Sequence, residues 1–147
     1  MKLISFVKSV YEASGSGNTP FILEAFDQNI EWHEAENSPY DIGTIFVGAQ
    51  SIIEGVFGKI AEDFEEFEVK NEQFIESGNV VIMLGRYVGK TKSGKGLNAQ
   101  AAHVWTIENG KITKFVGYTD TDQWRRVIGT GDVNVDGASL AKKQLKS

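Results

Sequence analysis

Near Phe67 the spacing of apolar residues changes from every third or fourth position to every second, and this switch most limits the fold open to the chain. Before it, Ile52, Ile53, Val56, Phe57, Ile60 and Phe64 recur at helical spacing and predict a long packing helix. After it, Val69 to Glu76, Val80 to Val88, Leu97 to Ile107 and Lys111 to Tyr118 read as four consecutive strands separated by turn residues, which makes an antiparallel meander. Further upstream, Leu3, Phe6, Val7 and Val10 give an amphipathic helix that stops at Gly15-Ser16-Gly17-Asn18. Thr19 then caps a second short helix, with Pro20 at its first position and apolar residues from Phe21 to Phe26. Between this pair and the long helix, Asn29 to Glu34 alternates like a strand with Trp32 inward, and the turn-rich Asn37 to Gly43 follows. Helices followed by strands imply an α+β domain, its helices packed on one face of a curved, mainly antiparallel sheet.

Bulk properties narrow the function. A chain of 147 residues fits one domain. Its net charge of −5 argues against nucleic acid as a partner, because phosphate-tracking surfaces need clustered Lys and Arg. Without cysteine there is no disulfide and no thiolate chemistry. The first residues lack the apolar core of a signal peptide and no apolar run is long enough to span a bilayer, so a soluble cytoplasmic protein with no membrane partner is expected. With only His33 and His103, no metal site is indicated, and no cofactor motif is present. The stretch from 129 to 147 has little pattern and is expected to be a loosely ordered tail.

Asn109-Gly110 is a hairpin turn by composition, since both central residues of such a turn need positive φ. Counting outward from Glu108 opposite Lys111 places Ile107 by Ile112, His103 by Val116 and Ala101 by Tyr118, and puts His103, Trp105, Val116, Tyr118 and Asp120 on one face. Both faces are partly apolar, so alternation leaves open which is inward. The mixture of aromatic walls with an imidazole and a carboxylate favours the first face as the pocket and leaves the second for a dimer contact.

An ordered set of short motifs carries a resemblance over about residues 1–128: Trp32, Pro39-Tyr40 with Gly43, Gly85-Arg86-Tyr87 before Gly89, Ser93-Gly94-Lys95, Ala102-His103-Val104-Trp105-Thr106, Gly110-Lys111-Ile112 and Tyr118-Thr119-Asp120-Thr121. Together these resemble the SnoaL-like, ketosteroid-isomerase-related branch of the NTF2-like superfamily. The resemblance implies a cone-shaped fold, an interior pocket for a small apolar molecule and a homodimer through the convex sheet. It also implies that His103 and Asp120 are the catalytic pair of a cofactor-independent acid–base enzyme of the cyclase or isomerase type, acting on a cyclic or polyketide-like substrate. Trp32, Tyr40, Phe64, Arg86, Trp105 and Tyr118 are the expected substrate contacts. The alternative is a non-catalytic ligand-binding or scaffold dimer, with Asp120 merely capping the last helix and His103 packing. Against the ketosteroid isomerase itself, Tyr11 and Asp41 imitate the helix tyrosine and the base, but the strand from Asn98 to Thr106 lacks the protonated carboxylic acid.

Overall fold

The computed structural model describes residues 2–129. Helix α1 (Leu3–Ser16) turns its buried Val7, Val10 and Ala13 to the core and ends at Gly17, whose φ of 72° supplies the left-handed cap. Helix α2 (Thr19–Ala25) is capped by Asn18, whose side chain accepts from the Phe21 amide. Thr19, the expected cap, is thus the first helical residue. Strand β1 (Phe26–His33) follows directly, with Ile30 and Trp32 buried. A two-residue strand β2 (Phe46–Val47), unforeseen in the sequence, pairs with β1 before the long helix begins.

That helix, α3, runs as Ala49–Ile52, a π turn over Ile53–Phe57, and Gly58–Asp63. It ends one residue short of Phe64. Phe64 therefore opens β3 (Phe64–Ser77) and packs with Tyr40, Leu97 and Trp124 in a second small core, not on the helix face that its spacing suggested. Strands β4 (Val80–Thr91), β5 (Gly96–Glu108) and β6 (Lys111–Thr119) complete the meander, and α4 (Thr121–Ile128) closes the described chain. The sheet order is β2-β1-β6-β5-β4-β3, curved and unclosed, with β1 parallel to β6 and every other pair antiparallel.

Two irregularities bend the β3–β4 pair. Register shifts in β3 fall between Phe64 and Glu66 and between Asn71 and Gln73, beside Gly89 and Gly85 of β4. A Cβ at Gly85 would lie 1.9 Å from the Lys70 carbonyl oxygen, and one at Gly89 would lie 2.6 Å from that of Glu66, so only glycine lets the bulged strand fold in this closely.

The hairpin turn forms as expected, with Asn109 and Gly110 at φ 52° and 75°. The expected register holds for only two pairs. Beyond Ile107–Ile112 a bulge admits Thr113, and thereafter Trp105 faces Phe115, His103 faces Gly117 and Ala101 faces Thr119. Because side chains alternate, one extra residue moves everything beyond it to the opposite face. Phe115, Gly117 and Thr119 consequently join His103 and Trp105 inside, while Val116 and Tyr118 turn outward. Of the expected tail, residues 130 to 147 lie outside the described residues.

Candidate functional site

A cavity of about 560 Å³ opens between the concave face of the sheet, α1 and α3. That volume lies within the usual range for small-molecule sites. Trp32 forms the centre of its apolar wall, stacking on Phe115 at 3.8 Å between centroids and meeting Trp105 edge to face at 5.8 Å. The exposed lining residues Glu12, Ser14 and Gly15 of α1 and Glu68 and Asn71 of β3 mark the mouth.

His103 is the polar centre. Alternation along β5 sends it inward between Ala101 and Trp105, and it is buried. Its Nδ1 lies 2.6 Å from the Tyr11 hydroxyl and its Nε2 2.5 Å from that of Tyr87. Tyr11 belongs to the core-facing side of α1, one residue after Val10 and four after Val7. Tyr87 reaches His103 from β4 over the small facing pair Gly85 and Ala101. The Tyr11 oxygen also accepts from the Trp105 indole at 2.9 Å. Burial without a carboxylate partner lowers the His103 pKa to about 3, so the ring is neutral at ordinary pH. Burial also pushes both phenols well above their ordinary value.

A neutral imidazole brings one N–H and the two phenols bring one O–H each, yet the two contacts with His103 use only two of these three protons. With the proton on Nε2, Tyr11 donates to Nδ1 and the Tyr87 hydroxyl hydrogen is left over; with it on Nδ1, Tyr87 donates to Nε2 and the Tyr11 hydrogen is left over. Either way one phenol at the cavity wall has a hydrogen to offer.

The cavity also holds a carboxylate that sequence reasoning passed over. Glu34 follows β1, accepts from the Trp32 indole at 2.6 Å and, more loosely, from Ser38 at 3.4 Å. It is half-buried and lines the cavity, and surrounding protein raises its pKa, with nearby Asp41 adding to the effect. It forms no ion pair with a described residue. Its charge helps raise the pKa of Tyr87, which places the carboxylate and the phenol in one electrostatic environment.

The expected residues divide. His103, Trp32, Tyr40 and Trp105 line the cavity, with Tyr40 donating to Asp63 at 2.8 Å. Asp120 does not. It is exposed at the N-terminus of α4, where its carboxylate accepts from the Gln123 amide at 3.2 Å, so the bulge at Thr113 leaves it capping a helix outside the pocket. The same bulge leaves Tyr118 on the convex face, 58% exposed. Arg86 turns away from the cavity and bonds Asn98, while Phe64 belongs to the second core. Asp41, the imitation of an isomerase base, instead accepts from the amides of Asn37 and Gly43.

Residues 7–115 match the family described as the SnoaL-like domain. The chain belongs to that family. No curated protein matches this SnoaL-like chain. Among solved structures it is similar to an NTF2-like protein of unknown function from Burkholderia pseudomallei, with 27% identity, a TM-score of 0.78, and coverage of 87% of this chain and 98% of that one. It shares the fold of TerC co-crystallised with polyporic acid, at 22% identity and TM-score 0.77, covering 86% of this chain and 98% of that one. It likewise shares the fold of a putative SnoaL-like polyketide cyclase from Jannaschia, at 17% identity and TM-score 0.74, covering 86% and 90%. No described helix is long and apolar enough to cross a membrane.

Proposed function

We propose that this SnoaL-like protein binds a small ring compound carrying a carbonyl group and moves a proton on it without a cofactor. Glu34 is the base. It removes a proton from the carbon next to the carbonyl; the C–H electron pair passes into the carbonyl to leave an enolate oxygen, and the free phenol hydrogen of the Tyr11–His103–Tyr87 cluster stabilises that oxygen. Glu34 then returns the proton to the substrate, so atoms and charge balance. His103 works as a neutral link that holds the phenols. This division of labour is similar to the ketosteroid isomerase in pairing a carboxylate base with a tyrosine donor, but His103, with both nitrogens engaged by phenols, does not replace the protonated carboxylic acid that donates there.

The observation that carries the reading is a carboxylate without a cationic partner among the described residues, its pKa raised by burial, sharing one aromatic cavity with an unused phenol hydrogen. The polyporic acid held by TerC supports a ring-shaped ligand. The proposal includes a cytoplasmic homodimer through the convex face, where Tyr118 and Ile75 are 58% and 41% exposed.

Hydrogen exchange tests it. With 2-tetralone in D2O, the protein is expected to speed deuterium uptake beside the carbonyl above the buffer rate, and Glu34→Gln is expected to lose about 100-fold or more of that gain. The amide still accepts from Trp32, so the variant should fold. No acceleration by the wild type, or equal acceleration by Glu34→Gln, refutes the reading.

A further inference from the structure

The cavity wall is one-sided in charge. The ionisable lining residues include Glu12, Glu34 and Glu68, while no Lys or Arg is among the described residues of the wall. Three cations on α1 and α4, which border the cavity, have contacts of their own: Arg125 donates to the Asn37 carbonyl, Arg126 pairs with Asp122, and Lys8 sits over Phe74. His103 supplies no positive charge at ordinary pH, because burial among aromatic side chains, with no carboxylate against its ring, keeps it neutral.

The wall still offers one hydrogen to an acceptor, the unused phenol O–H of the Tyr11–His103–Tyr87 cluster.

We propose that this site selects its ligand by charge: it takes an uncharged ring compound with a carbonyl or similar acceptor oxygen and rejects carboxylates and phosphates of the same size. The inference rests on the ligand-binding reading above and adds the substrate class. A neutral oxygen can be held by the one phenol donor present, whereas an anion leaving water requires a cation or a denser set of donors. Glu12 and Glu68 at the mouth repel an anion before it arrives. Esters of phosphate-bearing carriers and free carboxylic acids are therefore outside the substrate class, and the preceding reaction must release a neutral ring ketone.

The test is a matched pair, 2-acetylnaphthalene and 2-naphthoate, binding to the full chain in equilibrium dialysis at pH 7.5 and low salt. The ketone is expected to bind at least tenfold more tightly. In the Glu12→Gln, Glu68→Gln double variant, naphthoate is expected to gain at least threefold while the ketone stays unchanged. If naphthoate binds as well as the ketone, charge selection is overturned and the ligand cavity stands. If the ratio does not move in the double variant, the role given to the mouth is overturned. If neither compound binds, the ligand-binding reading falls and this inference with it.

Discussion

Lowering the pH should destabilise this protein through His103 before any carboxylate is titrated to completion. The imidazole has a pKa of about 3 in the folded state, against an ordinary value of about 6.5 in the unfolded chain. A folded pKa that is depressed contributes stability present above the unfolded value and lost as the pH falls toward the folded one, because only the unfolded chain takes up the proton. The loss amounts to about 1.4 kcal/mol per pH unit below roughly 6.5, or about 2 kcal/mol between pH 7 and pH 5. Glu34 acts with the opposite sign. Its raised pKa means that its contribution is fully present below the ordinary carboxylate value and lost as the pH rises through the folded one. Urea denaturation at pH 7, 6 and 5 on the wild type and on His103→Gln separates the two, since the carboxylates are common to both proteins. The wild type should lose about 2 kcal/mol more than the variant over this range. In parallel, the His103 ring nitrogens should report a neutral imidazole by NMR at pH 5. Parallel stability profiles together with a protonated ring at pH 5 would refute the reasoning.

Two further substitutions probe the polar cluster and the helix cap. Tyr11→Phe leaves both the Trp105 indole and His103 Nδ1 without their partner, whereas Tyr87→Phe leaves only Nε2, so denaturant titration should show the first to cost more, about 2–4 kcal/mol against about 1–3. Asp120→Ala should lower stability by about 1 kcal/mol, roughly 3–5 °C in a thermal melt, and Asp120→Asn should restore it; neither should change ketone exchange.

The parts of the fold legible in the sequence were those governed by local rules. The change of period near Phe67, the positive φ at Asn109 and Gly110, and the inward parity of Trp32, His103 and Trp105 all follow from neighbours within a few residues. Glu34 was within reach of the same rule, because it shares the parity of Ile30 and Trp32, but it lay at the end of the segment read as a strand. Tyr11 was visible as the residue beside Val10 on the buried side of α1. Tyr87 shares its parity with Gly85 and Gly89, and those glycines mark where the bulged strand crowds the concave face. Asp120 and Tyr118 could not be placed by counting, since the bulge at Thr113 depends on how β6 fits both β5 and the parallel β1. Arg86, an expected substrate contact, is held outside by its pairing with Asn98, a contact twelve residues away in sequence that no local rule supplies. Phe64 failed because helical spacing continued across a helix end that tertiary packing decides.

The bulge at Thr113 and the π turn in α3 are each a single surplus residue within a regular element. Losing or gaining one codon at the first would exchange Phe115, Gly117 and Thr119 for Val116 and Tyr118 in the cavity without altering any of those residues. Members of such a family can therefore diverge in chemistry through insertions and deletions as readily as through substitutions. Relatives aligned column by column across β6 without a gap at this site would pair residues that point in opposite directions, and a position conserved in such an alignment need not be a position shared in the pocket.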